Sequence, residues 1–435
     1  MATLRWFAQT LARYKIALSV GWFLAIRGIR HASKWTTGLI IFIMVLTFLN
    51  LVVVSGLLTG LIAGSYEQFR ESYSGEVIVT PVQSQNYIEH SPELITYLKN
   101  HPRVTAFSPR YGVNVQVLGT LTDLPEKGER QNKMGVRLVG LDLAAEESVT
   151  RFSRFVVSGE MIDQDTEGYA LMGSTMLREY SEFADADIPG FDLLNDVGVG
   201  SRVRVSLGLS DGTTVSKEFI IKGIVKSKVD QISTRMFITD RELRRIIPVN
   251  KAQYQEIAIK TDEEYAPILA REIREFMDGY DARVQTSLEA IPSFLRDVET
   301  TMGILGNSLS SIALVVAATT IFIVIFINAI TKRKFIGIMK GIGISPLVIE
   351  VSYVFQAIIY GVIGSAIGLA LTFFLLKPYF AANPINFPFS DGILVATPDG
   401  AALRVGILLI VTLIAGYIPA KMIVRRNTLD AILGR

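Results

Sequence analysis

WTTGLIIFIMVLTFLNLVVVSGLLTGLIAGSY, residues Trp35–Tyr66, carries no charged residue from end to end. A helix rises about 1.5 Å per residue, so about 20 apolar residues cross the hydrocarbon core of a bilayer. This run is longer than that. In lipid every backbone N–H and C=O must be satisfied within the segment, which leaves a helix as the reading. Three more stretches, 301–331, 351–376 and 405–420, are also free of charge. The last is short, but it is lengthened by Arg404 and Lys421, whose stems can snorkel to the interface. Four transmembrane helices are predicted, near 37–63, 303–330, 349–376 and 402–423. The first run is about twice the length of a signal-peptide core, so it reads as an anchor and not as a cleaved leader.

Composition agrees. Half of the 435 residues are hydrophobic and only 19% are charged, against about 25% in soluble domains. The absence of cysteine removes disulfides, iron–sulfur clusters, thiolate zinc sites and cysteine nucleophiles. The net charge of +2 excludes a strongly basic nucleic-acid binder, but that sum is misleading. Residues 64–300 hold 27 Lys/Arg and 37 Asp/Glu, a net of −10, while the remainder is +12.

The positive charge marks one side of the membrane. The N-terminal segment holds Arg5, Arg13, Lys15, Arg27, Arg30 and Lys34 with no acid. The connection between the second and third helices holds Lys332, Arg333, Lys334 and Lys340, and the C-terminal segment holds Lys421, Arg425, Arg426 and Arg435. All three are expected in the cytoplasm, with both termini inside and the acidic segment outside. The expected partition is 1–34, an amphipathic cytoplasmic helix; 35–66, the first span; 67–300, an extracytoplasmic α+β domain; 301–331, the second span; 332–348, a cytoplasmic helix; 349–376, the third span; 377–401, a short outer loop; 402–424, the fourth span; and 425–435, a cytoplasmic tail. In the N-terminal segment Leu4, Phe7, Leu11, Tyr14, Leu18, Trp22, Ala25 and Ile29 recur at helical spacing. This fits a helix lying on the membrane surface or packed on the bundle.

The outer segment has its own strand signals: 76–80, 113–117, 136–140, 202–206 and 218–222 alternate or carry β-branched runs. Residues 210–213 suit a hairpin turn. Ser91 before Pro92 is expected to cap a helix through Leu98, Asp240 to cap one through Ile247, and 262–277 to form another. The acidic stretch 179–196 reads as an irregular loop.

Much chemistry is missing. There is no G-x-x-x-x-G-K-[ST] phosphate cradle and no G-x-S-x-G elbow. His31, His90 and His101 lack metal spacing. No catalytic residue, metal or cofactor is expected. The helix centres carry no ionisable group, which argues against an ion-coupled transporter. Asn50 and Asn328 are the main polar residues there. Gly56, Gly60 and Gly64 recur every four residues, as do small residues around Gly361, Gly364, Ser365 and Gly368. Such faces let helices approach closely, and the first set is expected at a contact with another helix or subunit.

The segment Lys332-Arg-Lys-Phe-Ile-Gly-Ile-Met-Lys-Gly-Ile-Gly-Ile-Ser-Pro346 resembles the "R-E-I-G-I-L-K-A-I-G-A" stretch of ABC-transporter permeases of the FtsX/MacB/LolC-LolE superfamily. Leu24–Arg30, Gly416–Ala420 and Arg425–Leu433 resemble that family's other landmarks, and one helix, a large outer domain and three helices is its layout. The usual acid before Ile-Gly is Phe335 here, and the family's late proline is Thr428.

The resemblance implies that a cytoplasmic ABC ATPase dimer binds ATP and magnesium, so this chain is no enzyme. It implies that Phe335, Ile336, Gly337, Ile338, Met339, Lys340 and Gly341 couple to that ATPase. It also implies pairing with a second copy or a sister permease in the inner membrane, with Gly56, Gly60 and Gly64 as interface candidates. Phe42, Met44, Phe48, Leu49 and Asn50 are candidates for a cavity that takes acyl chains among membrane lipids. Three functions follow from the resemblance: release of a lipidated or amphiphilic substrate such as a lipoprotein; MacB-like efflux with an outer adaptor; or FtsX-like mechanotransmission to an outside hydrolase.

Overall fold

The structure is a computed structural model, and it describes residues 2–83, 85–119, 131–181, 192–208, 213–247, 253–387 and 390–424. The chain opens with helix α1 (Ala2–Arg30), followed by α2 (Lys34–Phe69). The outer segment then runs β1 (Val77–Pro81), α3 (Ser91–Asn100), β2 (Ala106–Leu118), β3 (Lys133–Leu141), α4 (Leu143–Thr150), β4 (Val156–Gly159) and β5 (Tyr169–Gly173). It continues with β6 (Arg202–Gly208), β7 (Thr214–Val225), α5 (Asp230–Ser233), β8 (Arg235–Thr239), α6 (Asp240–Ile246), β9 (Glu256–Lys260), α7 (Ala266–Phe276) and β10 (Ala282–Thr286). Last come α8 (Ser293–Thr331), α9 (Arg333–Gly341), α10 (Pro346–Ala370), α11 (Lys377–Ala382) and α12 (Pro398–Val424).

Four of these helices are long and apolar enough to cross a membrane: α2 with its π-helical extension to Ser74, α8, α10 with its continuation to Ala382, and α12. All begin or end beyond the charge-free runs, because a helix continues into water where polar residues still form it. The chain divides into two compact units, one of residues 1–62, 297–387 and 391–435, the other of residues 63–296 and 388–390.

Within the outer unit the strands form one mixed sheet in the order β10-β1-β9-β2-β3-β8-β5-β7-β4, with β6 pairing both β2 and β7. The pairs β3–β8 and β5–β7 are parallel and the other named pairs antiparallel. Helices α3 and α7 cover one end, burying Leu94, Leu98, Leu269 and Ile273 against Val77, Val79, Ile257 and Ile259. A second core gathers Leu138, Met172, Val203, Phe219 and Ile221. Four of the five expected strands lie within strands of this sheet, and the fifth, 76–80, overlaps β1, which starts at Val77. β4, β5, β8, β9 and β10 were not anticipated, since each is only four or five residues long. The expected turn at 210–213 lies almost wholly outside the described residues, though Gly208 and Thr214 pair across it. The expected acidic loop is also largely outside them.

Three local expectations are corrected. Ser91 does not cap α3: its hydroxyl donates back to the Ile88 carbonyl, and His90 stands at the cap in a left-handed conformation. Asp240 does not cap α6. The Thr239 hydroxyl accepts from the Glu242 N–H there, while Asp240 takes the Nε of Arg244 at 2.8 Å. Helix α7 starts at Ala266, since the Asp262 backbone carbonyl accepts from the N–H of Tyr265 and closes a separate turn before it.

A buried ionic cluster, invisible to periodicity, ties the sheet to the residues that follow α2. Glu146 accepts two hydrogen bonds from Arg110 (2.7 and 2.8 Å), one from Ser108 (2.6 Å) and one from Thr150 (2.7 Å). Glu256 accepts from Arg235 at 3.0 Å. The guanidiniums of Arg110 and Arg235 lie 5.0 and 5.3 Å from the ring of Tyr73, close enough for cation–π attraction.

Candidate coupling site

Helix α9 is a short amphipathic helix between α8 and α10. Its stop and start are written in Gly341-Ile-Gly-Ile-Ser-Pro346. Gly343 has φ +93°, a left-handed conformation that a Cβ disfavours. Its N–H bonds the Lys340 carbonyl at 3.1 Å, and the Ile344 N–H bonds the Met339 carbonyl at 3.0 Å. This is the Schellman pattern, which satisfies carbonyls left open at a helix end. Pro346 then supplies a fixed φ in the first turn of α10.

The faces of α9 differ. Ile336 and Gly337 are buried, and Ile336 packs into the bundle core. Phe335, Ile338 and Ile342 are 70%, 52% and 73% exposed. At spacings of three and four they form one outward apolar stripe, beside the cations of Arg333 and Lys334. Met339 is half-buried, and Lys340 turns inward so that its Nζ donates to the Val424 carbonyl at 3.0 Å. A cation there meets the negative end of α12. Ile336, Gly337 and Lys340 therefore hold α9 in place, and of the expected coupling residues Phe335 and Ile338 are the apolar ones exposed. Ile342 extends the stripe, one turn beyond Ile338 and one residue past the seven expected coupling residues; its spacing was the available signal.

The glycines of the first span have an in-chain role. The Val395 N–H donates to the Gly56 carbonyl at 3.2 Å. A Cβ on Gly56 would lie 2.9 Å from the Val395 carbonyl oxygen, and one on Gly60 would collide with the Ile393 carbonyl oxygen. Residues 393–395 of the same chain thus occupy the face expected to meet another subunit; Gly64 is half-buried. The expected cavity residues also divide. Met44 and Phe48 are core residues seated where Gly364 and Gly368 of α10 leave room. Phe42 and Asn50 face outward and Leu49 is half-buried. In α1 the expected stripe is only partly inward: Ala25 is buried and Ile29 packs on the bundle core, while Leu18 and Trp22 are about half exposed and Ala17 and Gly21, outside the stripe, are buried. A Cβ on Gly21 would lie 2.8 Å from Val351, so small residues set α1 against α10.

The comparisons with known proteins bear on this arrangement. The model of the MacB-like periplasmic core domain matches residues 37–276, more than half of the chain, and that of the FtsX-like permease C-terminal domain matches 307–428. The chain belongs to the FtsX/MacB superfamily of ABC permeases.

Among relatives of this permease, the macrolide export ATP-binding/permease protein MacB of Campylobacter fetus is 24% identical over 269 residues, covering 52% of this chain and 41% of its own length. An uncharacterised ABC transporter permease of Methanocaldococcus jannaschii is 23% identical over 226 residues, 50% of this chain and 55% of its own. The permease thus spans about half the length of the curated relatives it matches. Among solved structures, the periplasmic region of MacB from Actinobacillus actinomycetemcomitans aligns at 9% identity and TM-score 0.33, over 49% of this chain and 90% of its own. The extracellular domain of the noncanonic transporter YknZ from Gram-positive bacteria aligns at 12% identity and TM-score 0.30, over 48% and 98%. The matched segments cover most of the four apolar helices and of the α/β domain between the first and second, as expected for a multi-pass membrane protein.

Proposed function

We propose that this permease transmits the strokes of a separate cytoplasmic ABC ATPase, through α9, to extraction or export of an amphiphilic or lipidated substrate. The observation that carries the coupling part is the outward stripe of Phe335, Ile338 and Ile342 on a helix whose other face is fixed in the bundle. Exposed apolar side chains rimmed by charge are the usual form of a protein contact. The same reading puts α9, α1 and both termini in the cytoplasm, on the strength of the Lys/Arg excess, and the −10 outer segment on the other side.

The outward face of α2 supports an amphiphilic cargo. Leu39, Phe42 and Leu46 are 58%, 57% and 48% exposed, with Asn50 one turn further along. In a pair of permeases this face would border the intersubunit space. Export of a soluble drug with an outer adaptor is the second reading, favoured by the name of the Campylobacter relative. Purification of the permease complex from its native membrane, with bound components identified by mass spectrometry, tests the proposal. An ATPase with a lipid or lipoprotein supports it. An outside hydrolase as the sole partner contradicts the transport reading and favours mechanotransmission.

A further inference from the structure

A cavity of about 540 Å³ opens between α1, α9 and α10, at the basic end of the bundle. Three basic side chains line it, Arg27, His31 and Lys332, and no carboxylate does. Arg27 and Lys332 have no ion-pair partner among the described residues. On its deeper side lie Ser352, Tyr353 and Gln356, only 6%, 5% and 5% exposed. None of these three side chains has a hydrogen-bond partner among the described residues. Their polar atoms are not among the sealed ones without a partner, so they open onto the cavity and can reach a ligand in it. Gly28 helps to make the space: a Cβ there would lie 3.0 Å from Nε2 of Gln356. Leu24 and Met339 complete an apolar wall.

The geometry points to a binding site for the headgroup and glycerol region of an anionic phospholipid. The cations fit a phosphate, as basic pockets between membrane helices do. The hydroxyls and the amide of α10 suit the ester and glycerol oxygens, and the apolar wall suits the start of an acyl chain. A free phosphate would use the cations and leave that wall wet. Because Phe335, Ile336 and Met339 of α9 also border the cavity, a bound lipid would brace the helix from within. This inference needs only a membrane-embedded chain, so it stands apart from the choice of cargo.

The test is native mass spectrometry of the full-length permease titrated with phosphatidylglycerol, phosphatidylcholine or inorganic phosphate. Phosphatidylglycerol should bind at least tenfold more tightly than phosphatidylcholine, and millimolar phosphate should not displace it. Arg27→Gln with Lys332→Gln should weaken phosphatidylglycerol about 30-fold, about fivefold per cation. Lys332→Arg should retain binding, and Gln356→Leu should weaken it. If the double variant fails to fold, Lys332→Gln alone, at a half-exposed side chain, carries the same test with a fivefold loss. Equal binding of the two lipids, displacement by phosphate, or unchanged affinity in the charge variants would overturn the assignment.

Discussion

Glu146 and Glu256 show how a buried carboxylate can hold a sheet together. Truncating Glu146 removes the two short hydrogen bonds of the buried Arg110 and leaves it only the Glu256 carboxylate at 3.8 Å, a loss of up to about 3–5 kcal/mol for a buried pair. Glu146→Ala is therefore expected to lower the unfolding transition of the outer domain in the full-length protein, read by urea titration. Glu256 titrates in a way that can be followed. Burial pushes its carboxyl up, but Arg235 and then Arg110 overcome this and hold it at about 2, down from 4.5. The unfolded chain then binds the proton more tightly, so the contribution is complete above pH 4.5 and is lost as pH falls towards 2. An acid unfolding profile should lose that slope in Glu256→Gln. None of this was legible in the sequence. Arg110, Glu146, Arg235 and Glu256 lie on different elements, and no local pattern distinguishes a buried charge from a solvated one.

At the scale of elements, the four spans were legible because lipid penalises every unpaired polar group along a long run. The orientation of each helix was not. The predicted stripe of α1 contains the buried Ala25 but not the buried Ala17 and Gly21, because close approach to α10 favours small side chains. The glycines of α2 likewise accept residues 393–395 of the same chain, which lie far away in sequence. Gly56→Leu is expected to cost about 1–3 kcal/mol by overpacking, seen as a lower melting midpoint. A subunit interface at Gly56 would instead weaken association and leave the protomer's melting unchanged. Helix α9 was legible as an element, but the inward turn of Ile336 and Lys340 was not. Gly343→Val forces a branched residue into a left-handed conformation, at about 1–2 kcal/mol. It should lower stability and disturb the join of α9 to α10, visible as faster amide exchange at 339–346.

At the scale of the molecule, the charge is divided between an acidic segment, 64–300, with a net of −10, and a remainder with a net of +12, and the proposed orientation gives that asymmetry a use. The account depends on α9 as the point where force from an ATPase enters. The direct test is the ATPase rate of the reconstituted complex, measured with the permease carrying Phe335→Asp and Ile338→Asp. Phe335 and Ile338 are 70% and 52% exposed, so the variant should fold and melt as the wild type does. The account predicts that the ATPase dissociates, or that its rate falls to that of the ATPase alone. Wild-type rate and full association in the double variant would contradict it.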